Sequence, residues 1–191
     1  MLENIWPRER HETNPWKGMA AGLIAGLVAS WAMNQFQDLW SKISGDENDS
    51  GSAHPPRQFA PDESSEEESN GEEETPATVK AASAISEEVF DHELTDSEKE
   101  IAGPVVHYAF GTATGAVYGA MAEVVPDVTL GAGLPFGAAV WLLADEVTVP
   151  LVGLSKSPTE YPISKHAYSL VSHFVYGLTT EAVRRAVRNA M

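Results

Sequence analysis

The stretch 103–125, GPVVHYAFGTATGAVYGAMAEVV, decides the fold class of this 191-residue chain. Apart from two tyrosines, its only ionisable side chains are those of His107 and Glu123, and Pro126 follows it directly. A helix of roughly 20 predominantly apolar residues is long enough to cross the hydrocarbon core of a bilayer. The stretch therefore predicts a transmembrane helix.

Three other apolar stretches have similar length and predict helices one, three and four, with 103–125 as helix two: 18–37, 130–154 and 164–183. A tight turn at 126–129 is expected to join helices two and three as antiparallel neighbours. The sequence therefore predicts an all-α protein, a four-helix transmembrane bundle.

Helix one has a competing interpretation as a signal peptide. No small-x-small cleavage site follows Met33, so an uncleaved helix is favoured. That helix reaches the length of a span when Asn34 lies at the far membrane interface, and Trp16, Trp31 and Trp40 suit its boundaries.

Overall composition hides this pattern, because the charge is concentrated in one segment. The net charge of −16 and the mean hydropathy of −0.19 suggest an acidic soluble protein. However, residues 41–102 carry 18 acidic and 4 basic residues, whereas the rest of the chain is nearly neutral. Such acidity argues against nucleic-acid binding. The absence of Cys excludes a disulfide scaffold and a thiolate metal site.

Changes in charge and apolar spacing divide the chain into four segments: 1–40, an interfacial N-terminus with helix one; 41–75, a disordered acidic loop between helices one and two; 76–102, an amphipathic helix and lead-in; and 103–191, helices two to four with a basic C-terminus. Thr95 and Glu98 have the spacing of a capping box, which predicts a helix start just before span two. The amphipathic helix is predicted from apolar residues at helical spacing: Val79, Ala82, Ile85, Val89 and Phe90.

Lys and Arg near the span ends predict the orientation. Six lie on the side of the two termini and four on the opposite side. Because cytoplasmic flanks are enriched in Lys and Arg, both termini are expected in the cytoplasm and the acidic loop outside.

Glycines recur every four residues in helices one and two: Gly18, Gly22, Gly26, Gly111, Gly115 and Gly119. Such stripes let the backbones of two membrane helices approach closely. The pattern fits packing of helix one on helix two within one chain, and it also fits a homo-oligomer.

Ionisable residues within the apolar helices are candidates for a functional pocket, because charge at membrane depth is costly. Asp145 and His173 each lie nine residues from the outer ends of helices three and four, roughly 13 Å deep. With His107 and Glu146 they form the predicted pocket. Because Pro150 has no N–H, the backbone carbonyl of Glu146 lacks its helical hydrogen bond and is expected to accept one from Thr148 or water. Glu123, His166 and Glu181 are expected nearer the membrane interfaces.

Three interpretations of the pocket stay open: a structural hydrogen-bond network, a proton or cation path, and a divalent metal site built from His and carboxylate groups. No sequence motif of a known enzyme class is present, so neither an enzyme nor an organic cofactor is expected.

The C-terminal half resembles the YagU-like family of bacterial inner-membrane proteins over about residues 103–188, and helix one resembles it loosely. The resemblance rests on HYAFG at 107–111, AEVVP at 122–126, PLVGL at 150–154 and EAVRR at 181–185, with His173. The family has several membrane spans and no established activity, and the long acidic loop departs from its pattern. The resemblance implies an inner-membrane location and carries the family's polar positions onto His107, Glu123, His173 and Glu181.

The predicted function is therefore that of an uncharacterised membrane protein that handles protons or cations through the pocket. The alternative is a structural or interaction protein whose acidic outer loop binds a basic partner or cations.

Overall fold

The computed structural model describes residues 13–43 and 75–191, and these ranges are helical with short connections. Five long helical segments follow one another: α1, Pro15–Ile43; α2, Ala77–Phe90; α3, Asp96–Val124; α4, which joins Leu134–Val140, the π-helical segment Trp141–Thr148 and Val149–Leu151; and α5, Ile163–Ala190. The predicted helices one to four correspond to α1, α3, α4 and α5. The interfacial residues 1–12 and most of the predicted disordered loop, residues 44–74, lie outside the described residues.

α1 begins where Asn14 and Pro15 make a helix start favourable. The side-chain Oδ1 of Asn14 accepts a hydrogen bond from the backbone N–H of Lys17 at 3.1 Å, and proline suits the first helical position. The helix continues to Ile43, six residues beyond the predicted end of the span and into the segment predicted as loop. Asn34 is buried within the bundle, where it donates a hydrogen bond to the Tyr108 hydroxyl of α3; its position at the membrane boundary stays a prediction.

α2 is the predicted amphipathic helix, and it packs against α3. The buried face consists of Ala77, Val79, Ala82 and Ser86. Ile85, Val89 and Phe90, which were expected to share the apolar face of Val79, are instead half or more exposed. α2 therefore buries small residues and presents its large ones outward.

The predicted capping box starts α3. The Thr95 side chain accepts a hydrogen bond from the backbone N–H of Glu98, and the Glu98 side chain accepts one from the backbone N–H of Thr95 at 2.7 Å. The helix then runs through Pro104 without ending. The predicted tight turn after it is wrong, because an eight-residue segment of 3₁₀ turns, Pro126–Gly133, broken by non-helical backbone at Leu130–Ala132, intervenes and α4 begins at Leu134. Positive φ angles at Gly131, Ala132 and Gly133 reverse the chain here.

Many buried side chains of the bundle are small or polar, and many exposed ones are large and apolar. Buried positions include Ser30, Gln37, Ser172, Thr180 and Glu181. Large apolar side chains at least 40 % exposed occur on each of the four longest helical segments, for example Leu27, Phe110, Leu143 and Leu178. Two segments, Pro15–Ile43 and Pro126–Leu151, are long and apolar enough to cross a membrane by length and composition; α3 and α5 are not among them.

Candidate functional site

Asp145 and His173 face each other between α4 and α5, as their matching depth predicted. The Nδ1 atom of His173 lies 3.8 Å from Oδ2 of Asp145, and the side chains are 6 % and 14 % exposed. Ser169, one turn earlier on α5, donates its hydroxyl to the same Asp145 oxygen at 2.7 Å. His173 Nδ1 donates to the Ser169 carbonyl at 2.9 Å, which fixes the ring's orientation.

Glu146 has a different histidine as its partner. Its Oε1 lies 2.6 Å from Nδ1 of His166, and the two side chains are 16 % and 24 % exposed. Nε2 of His166 lies 2.9 Å from the Pro158 carbonyl, which can only accept, so Nε2 carries a hydrogen. Nδ1 of the neutral ring is then an acceptor, and the contact with Glu146 needs one further proton, shared between Nδ1 and Oε1. His166 thus belongs to the pocket and not only to the membrane interface where it was expected.

The π-helical segment Trp141–Thr148 carries both carboxylates. In a π-helical turn the backbone hydrogen bond joins residues i and i+5, so the turn is wider than an α-helical one. Such turns are rare in proteins, and those that occur are often at functional sites. In it, adjacent side chains at Asp145 and Glu146 both face α5 and reach histidines seven residues apart. The Thr148 hydroxyl donates to the Leu143 carbonyl at 2.6 Å, five residues back, and not to the Glu146 carbonyl as expected.

The polar contacts continue across the bundle to α3 and α1. On α3, the centroid of the His107 ring lies 5.7 Å from that of the Tyr108 ring. The Tyr108 hydroxyl accepts a hydrogen bond from Asn34 Nδ2 at 3.0 Å. His107 Nε2 is buried and has no hydrogen-bond partner in the described ranges. All four predicted spanning helices therefore carry polar side chains inside the bundle, paired between α1 and α3 and between α4 and α5.

Sequence reasoning missed Ser169, Tyr108 and the inward position of Asn34. Ser169 has a usable signal, because it lies three residues after His166 and four before His173 and so shares their helix face. Asn34 has a weaker one: with Ser30 and Gln37 it forms a polar row at i, i+4 and i+7 in an otherwise apolar helix.

A cavity of about 250 Å³ opens onto the two carboxylate–histidine pairs. Asp145, Glu146, His166 and Ser169 line its inner part. The start of α2, the 153–161 connection and the start of α5 form the rest. Water entering the cavity therefore reaches the Glu146–His166 pair directly, whereas His173 lies behind Asp145.

The carboxylates expected near the inner interface pair with arginines of α5. Glu181, 1 % exposed, accepts from Arg184 at 2.7 and 2.9 Å, from Arg185, and from the Tyr118 hydroxyl at 2.9 Å. Glu123 accepts from Arg188 at 2.7 Å and from the backbone N–H of Asn14. The Glu181–arginine pairs lie within α5. The Tyr118–Glu181 hydrogen bond and the Glu123–Arg188 ion pair tie α3 to the basic end of α5, and the Asn14 N–H ties the start of α1 to Glu123. Glu181 is buried, which the interface assignment did not predict.

The two glycine stripes pack on each other within the chain. A Cβ atom added at any of Gly18, Gly22, Gly26, Gly115 or Gly119 would overlap backbone atoms of the opposite helix. One added at Gly111 would overlap the Ser30 hydroxyl of α1. A further close approach, unpredicted, joins Gly133 and Gly137 of the α4 region to Gly177 of α5.

In the described ranges, no group of three or more His, Asp and Glu side chains is arranged to hold a metal ion. Each carboxylate of the pocket has one histidine beside it, which is fewer ligands than a tetrahedral or octahedral site requires. The arrangement suits proton sharing between paired groups better than metal coordination.

These features define a helical bundle with an apolar exterior, a polar interior and glycine-mediated helix contacts, a combination typical of helical membrane proteins. The chain belongs to the family described as "Protein of unknown function (DUF1440)", whose model matches residues 52–182. It is also 31 % identical over 85 residues to the inner membrane protein YagU of Escherichia coli (strain K12), which confirms the resemblance to YagU-like proteins. The match covers 44 % of this chain and 42 % of that relative. No solved structure matches the chain.

Proposed function

We propose that this chain is a multi-pass inner-membrane protein that handles protons or cations through the two carboxylate–histidine pairs between α4 and α5. The observation that carries the proposal is the Glu146–His166 contact at 2.6 Å on the wall of an open cavity, with Asp145 on the same wall and His173 behind Asp145. A proton from the cavity would be held first at Glu146–His166 and then at Asp145–His173, the more buried pair.

Membrane placement is supported by the apolar exterior. Large apolar side chains are exposed along all four of the longest helical segments, and the interior holds polar groups that a bilayer would not solvate. The similarity to an inner membrane protein points the same way. We propose that α1, α3, α4 and α5 cross the membrane, with both termini in the cytoplasm.

Reporter fusions test this topology. A fusion at Asn70 and one after Met191 are separated by three proposed spans and should report opposite sides of the membrane. Reports from the same side would mean an even number of spans between them, and the four-span proposal would be wrong.

Flux measurements test the activity. Purified protein reconstituted into liposomes with an internal pH-sensitive dye should transmit a pH gradient, and Asp145→Asn should abolish that transmission. Asp127→Asn is the matched control, because it makes the same chemical change at an exposed position outside the cavity. Repeating the assay with K⁺ or Na⁺ gradients separates proton from cation flux.

Wild-type liposomes that behave like empty ones would refute the proposal. They would favour the alternative of an interaction protein, which depends on the acidic segment outside the described residues.

A further inference from the structure

The cavity carries a second chemical feature that proton handling does not use. Half of the chain's six lysines, Lys80, Lys156 and Lys165, line it, and they come from α2, the 153–161 connection and α5. Three separate elements thus contribute a lysine to the lining of one small cavity, in a chain whose net charge is −16. We infer that this lysine-lined part of the cavity binds a phosphate group.

The charge around the cavity favours an anion. In the described ranges neither Lys80 nor Lys165 forms an ion pair with a carboxylate, and Lys165 instead lies over the Tyr161 ring at 4.3 Å. The two carboxylates of the cavity already have histidine or hydroxyl partners. Among the described residues, the ammonium groups of Lys80 and Lys165 therefore have no carboxylate partner.

The remaining lining groups suit an oxyanion with several acceptor oxygens. Thr75 adds a hydroxyl group to the lining of the cavity. Phosphate accepts several charge-assisted hydrogen bonds at once, and lysine binds it as a point charge. A volume of about 250 Å³ admits a phosphate group with its waters. The phosphate could be free or belong to a lipid headgroup, since the cavity lies at the predicted outer ends of α4 and α5.

Calorimetric titration of the purified protein with inorganic phosphate tests the inference. Wild-type protein should bind, and Lys80→Gln and Lys165→Gln should each weaken binding by about tenfold or more, as expected for loss of a charged hydrogen-bond donor. Lys99→Gln is the control, because Lys99 does not line the cavity. Lys165→Arg, which keeps the charge, should retain most of the affinity and so distinguishes loss of charge from misfolding.

A second arm identifies the source of the phosphate. Delipidated protein is mixed with a phosphatidylglycerol or with the diacylglycerol of the same chains, and retained lipid is measured by native mass spectrometry. Retention of the phospholipid alone, weakened by Lys165→Gln, assigns the site to a headgroup; binding of inorganic phosphate alone assigns it to the free anion. No binding in either arm, or equal binding by wild type and both Gln variants, overturns the inference. Neither arm uses an ion gradient, so absence of proton flux leaves this result intact.

Discussion

Replacing Gly115 with alanine tests whether direct backbone contact holds α1 against α3. A Cβ atom at this position would lie 2.6 Å from the Gly22 carbonyl oxygen and 2.6 Å from the Gly26 Cα atom. Ordinary contact begins at 3.4 Å, so the two helices would have to separate locally by about 0.8 Å. The obstructing atoms belong to the backbone and cannot rotate away.

Overpacking of this kind typically costs about 1–3 kcal/mol. The higher helix propensity of alanine offsets up to about 1 kcal/mol of that cost. We therefore expect the free energy of unfolding to fall by about 1 kcal/mol or more, measured by titrating the detergent-solubilised protein with SDS. Ala113→Leu is the control: it adds more volume to the same helix at an exposed position, and should change the free energy by less than about 0.5 kcal/mol.

An unfolding free energy equal to that of wild type would refute the intrachain packing of the glycine stripes. If the stripes instead hold two copies together, Gly115→Ala would shift the protein from dimer to monomer in size-exclusion chromatography with light scattering. The monomer would then unfold as the wild-type monomer does.

Three further predictions concern polar groups. A double-mutant cycle with Asp145→Asn and His173→Gln should give a coupling of about 0.6 kcal/mol in SDS unfolding, and zero coupling would contradict the pairing. Glu181→Gln should lower the free energy of unfolding by about 3 kcal/mol, because it leaves buried guanidinium charge unpaired, whereas Tyr118→Phe should cost about 1 kcal/mol; equal losses would argue against an ion-pair role. Hydrogen bonds from Thr95, first from its backbone N–H and then from its hydroxyl, lower the pKa of Glu98 from 4.5 to about 2. The stabilisation of the α3 start by Glu98 is therefore complete above about pH 4.5 and is lost as the pH falls through 2. Amide protection in the first turn of α3 should differ between wild type and Glu98→Gln above pH 4.5, and this difference should disappear near pH 2. A difference that persists below pH 2 would contradict the prediction.

The sequence predicted the helical fold, the start of α3 and the opposition of Asp145 to His173. These predictions depend only on the order and spacing of residues along the chain. Length and apolarity define long helices, the spacing of Thr95 and Glu98 defines a cap, and a constant rise per residue gives depth.

Other features depend on how the helices pack in three dimensions and could not be predicted from the sequence. Periodicity arguments assume 3.6 residues per turn, so the π-helical segment and its effect on Glu146 were not predicted. The approach of Gly133 to Gly177 requires the positive φ angles after α3. The inward position of Asn34 depends on Tyr108 of a different helix.

The π-helical segment also determines how related sequences are to be compared. Its i to i+5 turn contains one more residue than an α-helical turn. Deletion of a single residue between Glu146 and Pro150 would change the angle between the acidic pair and Pro150 by about 100° in a regular helix. A relative that keeps both carboxylates but lacks one residue between them and the proline would point one of them away from α5. The number of residues that separate the acidic pair from Pro150 is therefore as much a part of this site as the two carboxylates.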